Sequence, residues 1–597
     1  MKKINKKKRQ EYEMGIIGNC SYIAYIDKTS NVKWLCLPKF DSSFIFGSLL
    51  DEERGGEFSV KPANDHFSSS QHYIKNTNIL VTEFTSEEGH FTVTDFAPRF
   101  YQYDRYYKPL MLIRRIKPVS GNPMIRVKCK PVGDYGQIIP EIVQGSNHIR
   151  FLNLESQVRL STDIPLNYIL DGKPFVLGEA RYLVFTYGVP LEASIRSTAE
   201  NFLDKTRMYW QDWIKATSIP SIFQEQIIRS ALVLKLHQSE DTGGIIAAGT
   251  TSLPEYDKTG RTWDYRYCWM RDTYYTLNAF NSIGHFEEVE KYFSYIHNII
   301  IEEKNRIKPL YTISGGAVPP VTTLPLAGYH NNQPVRVGND AVLQTQNDVY
   351  GQILVSLLPL FIDNRVNYFD KPRTLSIMKW LLKRIEETID EPDSGIWEFG
   401  NVHQLHCYTM LFHWAGSRAA HKIAAYLGEE KLMNASQILS RKAAARIEKC
   451  YDASRNVYTQ AIKSHNIDAS GLQLITMNYL DPNSKKASMH LLAIEKELKT
   501  PDGLLYRYIR DNHGQQKTSF LLCAFWYAEA LACVGRVDEA LGLITKLLSY
   551  ANHLGLYSED AGIDTGQWGN FPQTYSHVGL MNAVYRISIK QDKPFFY

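Results

Sequence analysis

The chain of 597 residues exceeds the length one hydrophobic core usually serves, so two or more domains are expected; its formal net charge of +4 is too even for a nucleic-acid partner. Hydrophobic and charged fractions of 44% and 22% are those of a folded globular protein, and no apolar run approaches the ~18 residues of a membrane span. The 12% aromatic fraction, with 37 Tyr and 10 Trp, fits either an aromatic-rich core or a cleft that stacks on sugar rings.

Residues 1–13, with Lys2, Lys3, Lys6, Lys7, Lys8 and Arg9, run into Gln10, Glu11 and Glu13 rather than an apolar signal core, and read as a disordered basic tail. Residues 14–192 alternate short β-branched and aromatic segments with Gly, Asn, Asp and Pro turns. The candidate strands are Ile16 to Ile26, Val32 to Leu37, Ile79 to Phe84, Phe91 to Phe96, Met111 to Lys117, Ile125 to Val132 and Arg181 to Tyr187. Ser86, Glu87, Glu88 and Gly89 mark a hairpin turn, and so many strands without intervening helices predict an antiparallel β-sandwich.

The texture changes near Ser194, where a linker helix over Ser197 to Ala216 occupies residues 193–219. Residues 220–597 then show about twelve segments of helical period: 223–238, 269–283, 286–302, 341–364, 372–390, 403–427, 429–448, 468–476, 483–498, 518–534, 536–550 and 573–588. Twelve helices with alternating short and long connections predict six hairpins closed into an (α/α)6 barrel. The long loops, 239–268, 303–340, 391–402, 499–517 and 551–572, are of the kind that carries function. The eight cysteines (20, 36, 129, 268, 407, 450, 523, 533) show no paired spacing, which suits reduced thiols in a cytoplasmic enzyme.

Those loops hold the chemistry-bearing residues. TWDYRYCWMRD at 262–272 sets Trp263, Tyr265, Tyr267 and Trp269 among Asp264, Arg266, Arg271 and Asp272. Aromatic faces beside forked donors and paired acceptors suit a sugar ring, whose C–H faces stack and whose hydroxyls take several hydrogen bonds. SGIWE at 394–398 and LYSEDAG at 556–562 each present a Glu beside an aromatic. Glycoside hydrolysis needs one carboxyl that keeps its proton and one that stays ionised. Glu398, between Trp397 and Phe399, is the expected acid because apolar neighbours disfavour its charge; Glu559, between Ser558 and Asp560, is the expected base.

Other polar residues have plainer readings. His403, His406, Cys407 and His413 lie at near-helical spacing, but without a convincing fourth ligand they read as helix-face residues rather than a metal site. Asp348 stands at a helix start, suited to capping or to substrate contact. Gly243, Gly244 and Gly249 lack the ending of a phosphate loop and read as turns. His577 suits either a hydrogen bond to the base loop or packing.

The chain resembles glycoside hydrolase family 15, the glucoamylase-like enzymes, which include glucoamylases, isomaltose and dextran glucohydrolases and trehalases. The resemblance rests on GIIGNC at 15–20, WLCLPKFDSSFIFGSLLD at 34–51, TWDYRYCWMRD, PVRVGNDAVLQTQNDVYG at 334–351, SGIWE, LLCAFW at 521–526 and GNFPQTYSH at 569–577. It implies an N-terminal β-sandwich fused to a catalytic (α/α)6 barrel. The implied activity is exo-acting and inverting, releasing β-glucose from non-reducing ends of α-gluco-oligosaccharides, with trehalose as the alternative substrate.

By the same resemblance Glu398 falls on the general acid and Glu559 on the general base. Arg271 and Asp272 hold the terminal glucose, Trp263 and Trp397 wall its pocket, and Arg507 is a further substrate-binding residue. One departure is visible: Gln516, Lys517, Thr518 and Ser519 precede Phe520 where many bacterial members carry an acidic residue followed by Gly, which bears on the leaving-group side. No cofactor or metal is expected, and the expected partner is an α-linked gluco-oligosaccharide or disaccharide. Phosphorolysis and sugar binding without catalysis are the other readings, and Glu559 argues against the first.

Overall fold

The computed structural model describes residues 9–591 apart from 304, 364, 366–370, 401, 512–513, 516 and 563–565. The N-terminal half is antiparallel. Its largest sheet has eight strands, in the order 141–144, 148–152, 158–162, 181–187, 111–121, 89–96, 80–86 and 67–73. Because strand side chains alternate, this sheet has two buried faces. On one, Phe185 packs against Phe46 of a four-stranded sheet and Phe58 of a three-stranded one. On the other, Met111, Ile113 and Val184 meet Ala199 and Leu203 of the linker helix. The sandwich also buries an ion pair, Asp95 with Arg114, whose guanidinium further donates to the carbonyls of Phe58 and Ser30.

The expected strand from Ile16 to Ile26 is two strands, Met14–Gly18 and Ile23–Asp27. Asn19 turns the chain between them by accepting from the Ser21 amide, and Cys20 adopts φ +67°. The free tail is also corrected at its inner end. Arg9 to Glu13 are docked on the helical half: Arg9 Nη1 donates to Ser549 O, Gln567 N donates to Gln10 O, and Tyr12 is buried. Residues 1–8 of that tail lie outside the described residues.

Fourteen helices occur among the described residues. The first, α1 (Leu166–Leu170), is a single turn in the sandwich, and the linker helix is α2 (Ile195–Lys215). Then follow α3 (Gln224–His237), α4 (Thr273–Ser282), α5 (Phe286–Glu302), α6 (Asp348–Ile362), α7 (Lys371–Thr388), α8 (Cys407–Leu427) and α9 (Glu430–Ile447). The last five are α10 (Gln473–Thr476), α11 (Lys485–Leu498), α12 (Leu521–Cys533), α13 (Val537–Leu548) and α14 (Thr574–Lys590). The inner helices α4, α6 and α8 pack in succession, α8 reaches α10 through the 3-10 turn Ala469–Leu472, and α10, α12 and α14 follow, with α14 returning to α4 to close the ring. α12 is buried along its whole length, whereas α13 is buried only at Ala540, Leu543, Ile544 and Leu547, the single stripe of an outer helix.

Among the inner helices that begin later than their hydrophobic period predicts are α6 at 348 rather than 341, α8 at 407 rather than 403, and α12 at 521 rather than 518. In each case the preceding residues are drawn into other pairings. Asn339 caps a separate 3-10 turn, Asp393 pairs with Gln404, and Ser519–Phe520 join a small sheet with Asp560–Gly562. These displaced segments meet at the N-terminal end of the inner ring.

Candidate active site

Extended backbone splits the 262–272 motif between two jobs. Trp263 and Tyr265 face open cavities, while Asp264 and Arg266 point the other way, fully buried and paired at 2.8 Å. Arg266 also donates to Ser42 O at 2.7 Å and to the Tyr135 hydroxyl at 3.3 Å in the sandwich. Half of the charge expected to grip a sugar therefore clasps the two halves of the molecule together.

Glu398, Glu559, Arg271, Asp272, Trp397 and Arg507 line one cavity of about 530 Å³ at the N-terminal ends of the inner helices. The seventh expected residue, Trp263, lies one layer out. It lines a vestibule of about 1690 Å³ that shares Tyr265, Trp397, Glu398 and Arg507 with the inner cavity. Gln516 lies outside the described residues, and Lys517 is exposed with its ammonium 4.9 Å from the Tyr256 ring.

Glu398 sits at φ +59°, a left-handed conformation that costs a non-glycine residue about 1–3 kcal/mol and is characteristic of functional sites. Its loop is pinned from behind by Asp393, whose carboxylate accepts from the Asn347 and Gly395 amides and from Thr409 Oγ1. Trp269 Nε1 and Arg271 Nη1 each donate to Glu398 Oε1 at 2.8 Å. Both bonds, and a longer one from Gln346 Nε2 at 3.4 Å, converge on the same oxygen. Arg271 Nη1 also donates to Ile396 O, and Trp397 Nε1 donates to buried Asp468 at 2.9 Å.

Glu559 reverses the expectation drawn from its polar neighbours. It is 2% exposed, its flanking Ser558 and Asp560 are fully buried, and the side chain of Glu398 is 26% exposed. Polar identity in sequence did not mean solvation, because the loop is roofed by other loops. The Tyr265 hydroxyl donates to Glu559 Oε1 at 2.6 Å. Burial, then the charge of Glu255, pushes the Glu559 carboxyl up to about 7 against the pull of Arg507 and the Tyr265 bond. Gly569 lets the chain pass close beneath: at φ +74°, a Cβ there would lie 2.6 Å from Glu559 Oε2. His577 supports the same loop by accepting from the Tyr557 amide at 3.2 Å, with Ser230 on its other nitrogen.

Asp272, its side chain 13% exposed, lies beside Arg271, Nε to Oδ1 3.7 Å, and burial raises its carboxyl to about 7 despite that cation. Its Oδ1 has no hydrogen-bond partner, a buried acceptor on the wall of the cavity. Asp348 neither caps its helix nor lines the cavity. It is fully buried, accepts from Gln352 Nε2 at 2.8 Å, and is raised to about 7 by burial and by Asp393. Among the described residues no His, Cys, Asp and Glu side chains gather as a metal site, and His413 bonds Asn347 O.

Residues not singled out from sequence complete the surroundings. Gln573 and Tyr575 line the inner cavity, the Tyr575 hydroxyl donates to Arg271 O, and Glu255 joins Arg507 to the vestibule. Tyr575 stood inside the quoted GNFPQTYSH segment, but Glu255 is one acid among many in a loop and carried no local signal.

A family model for glycosyl hydrolases family 15 matches residues 221–585, and one for a trehalase-like N-terminal region matches residues 7–164. The chain belongs to glycosyl hydrolases family 15. Relatives resemble it almost end to end. A trehalase of Thermoplasma volcanium is 32% identical, covering 96% of this chain and 92% of the relative. Trehalase 1 of Sulfolobus acidocaldarius is 30% identical, covering 96% and 98%, and a trehalase of Mycolicibacterium smegmatis is 28% identical, covering 96% and 91%. In fold the chain is similar to a bacterial glucoamylase complexed with acarbose, with a TM-score of 0.68 at 14% identity over 97% of this chain and 94% of the other. The chain is thus a glycoside hydrolase with an antiparallel N-terminal domain and an (α/α)6 barrel.

Proposed function

We propose that the protein is an exo-acting, inverting α-glucoside hydrolase whose substrate is α,α-trehalose. The observation carrying the chemistry is that Glu398 and Glu559, from loops 161 residues apart, line one cavity with Arg271 and Asp272. Glu398 protonates the glycosidic oxygen as the bond lengthens. Glu559, held by Tyr265, takes a proton from the water attacking the anomeric carbon on the opposite face. Arg271 and Asp272 hold hydroxyls of the glucose being released, a fork of donors beside an acceptor. The relatives' names support trehalose over the α-gluco-oligosaccharides first expected. The open vestibule favours the second reading, cleavage of longer α-glucosides from their non-reducing ends. Eight buried, unpaired cysteines support a reducing, cytoplasmic setting.

Three measurements test this. Glucose release is compared across trehalose, maltose, isomaltose, kojibiose, nigerose, dextran and starch, with trehalose expected to be the best substrate. Proton NMR of the first turnovers should show α- and β-glucose in equal amounts from trehalose, because only one of its two sugars inverts; α-glucose alone rejects inversion. Glu398→Gln and Glu559→Gln should each lower turnover about 10²- to 10⁴-fold. Near-normal rates in folded variants would remove both assignments.

A further inference from the structure

The vestibule holds a charged group that the two-carboxylate chemistry does not use. Glu255 is 4% exposed and faces the vestibule. Its Oε2 accepts from Arg507 Nη2 at 2.8 Å and Arg261 Nη1 at 3.2 Å, while Oε1, among the described residues, takes only a 3.3 Å bond from the Trp263 indole. Burying a carboxylate with two guanidiniums is costly unless the groups do something a packed apolar cluster would not. These groups lie outside the inner cavity, except for Arg507, which lines both.

We infer that Glu255, clamped by Arg261 and Arg507 and roofed by Trp263, is the receptor for the leaving sugar, with Oε1 accepting one of its hydroxyls and Arg507 donating to a neighbouring one. A pyranose presents vicinal hydroxyls that both donate and accept, which a carboxylate beside a guanidinium complements. Trp263 supplies a flat face, with the Arg336 guanidinium 4.9 Å from its ring. A leaving group without hydroxyls would strip water from this cluster and return no hydrogen bonds, so the site selects a second glucose over an apolar aglycone. The assignment rests on the disaccharide reading above and adds where the second ring is recognised.

The test uses a substrate whose leaving group cannot reach the cluster. α-Glucosyl fluoride fills the inner cavity and expels fluoride, whereas trehalose must place a whole sugar in the vestibule. Plateau values from full pH profiles are compared, so that a shifted proton affinity of Glu559 does not enter. For Glu255→Gln the ratio of kcat/KM for trehalose to that for α-glucosyl fluoride should fall at least 30-fold, with KM for trehalose rising. Trp263→Phe should lower the same ratio at least threefold. Parallel losses on both substrates in both variants would assign Glu255 to the reacting centre or the fold, and an unchanged ratio would remove it from the leaving-sugar site. If the native enzyme spares trehalose but cleaves another disaccharide, the substrate reading fails, while the ratio measured with that disaccharide still decides the role of Glu255.

Discussion

Burial and charged neighbours shift the acidity of Glu559, the proposed base. Its carboxyl faces Glu255, Asp560, Arg507 and Tyr265, and the balance leaves it at about 7. The proposed base must be ionised to work, so the rising limb of kcat/KM should run through about pH 7, with a falling limb above it because the proposed acid must keep its proton. An acidic limb at pH 4 to 5 would contradict that surrounding. Burial sets this value, and burial could not be seen in LYSEDAG, where Ser558, Glu559 and Asp560 stand in a row. Residue type at both positions was legible; environment was not, because it is made by segments hundreds of residues away.

At the level of elements, the base loop is a layered assembly. The hairpin of Asp560–Gly562 with Gly566–Trp568 is extended on one side by Ser519–Phe520 and backed by Gln10 and Tyr12, whose hydroxyl donates to Gly569 O at 3.0 Å. Gly569→Ala puts a methyl group into Glu559 at a backbone angle that alanine resists. It should lower kcat at least tenfold with little change in trehalose KM, and steady-state kinetics of the folded variant would show it; wild-type kcat would mean that the close approach is unimportant. Helix positions were largely legible, since the period of α12 or α13 is intrinsic to its residues. Their first turns were not, because Ser519 and Phe520 fit the helical period and still pair as strand.

Over the whole molecule, the sandwich and barrel are joined by buried charge as well as apolar packing. Arg99 from the sandwich meets Glu240 of the barrel, which also pairs with Lys291 and lies 3.5 Å from Lys235. Lys235 pairs in turn with Glu288, which accepts from Trp213 of the linker helix. Burial would raise the Glu240 carboxyl, but Lys235, Arg99 and Lys291 outweigh it and hold it at about 2. Its contribution is therefore present above about pH 4.5 and lost as pH falls toward 2. Glu240→Gln leaves buried cations uncompensated and should cost about 3–5 kcal/mol at neutral pH, seen as a lower urea midpoint that converges with wild type in acid. A midpoint unchanged at pH 7 would show that the apolar contacts alone hold the halves together.

Local patterning by itself determined a strand-rich half followed by a helical one, and the motifs brought both carboxylates and most of the sugar clamp into view. Those features are written in residue periodicity and in short segments whose chemistry needs no distant partner. Tertiary structure alone decided that Asp264 and Arg266 clasp the sandwich, that Glu559 is the more buried of the two carboxyls, that Trp263 stands in the vestibule, and that residues 9–13 brace the loop of Glu559. Each of those outcomes depends on which remote surface a side chain meets, and dielectric environment and contact are properties of the packed chain rather than of any segment within it.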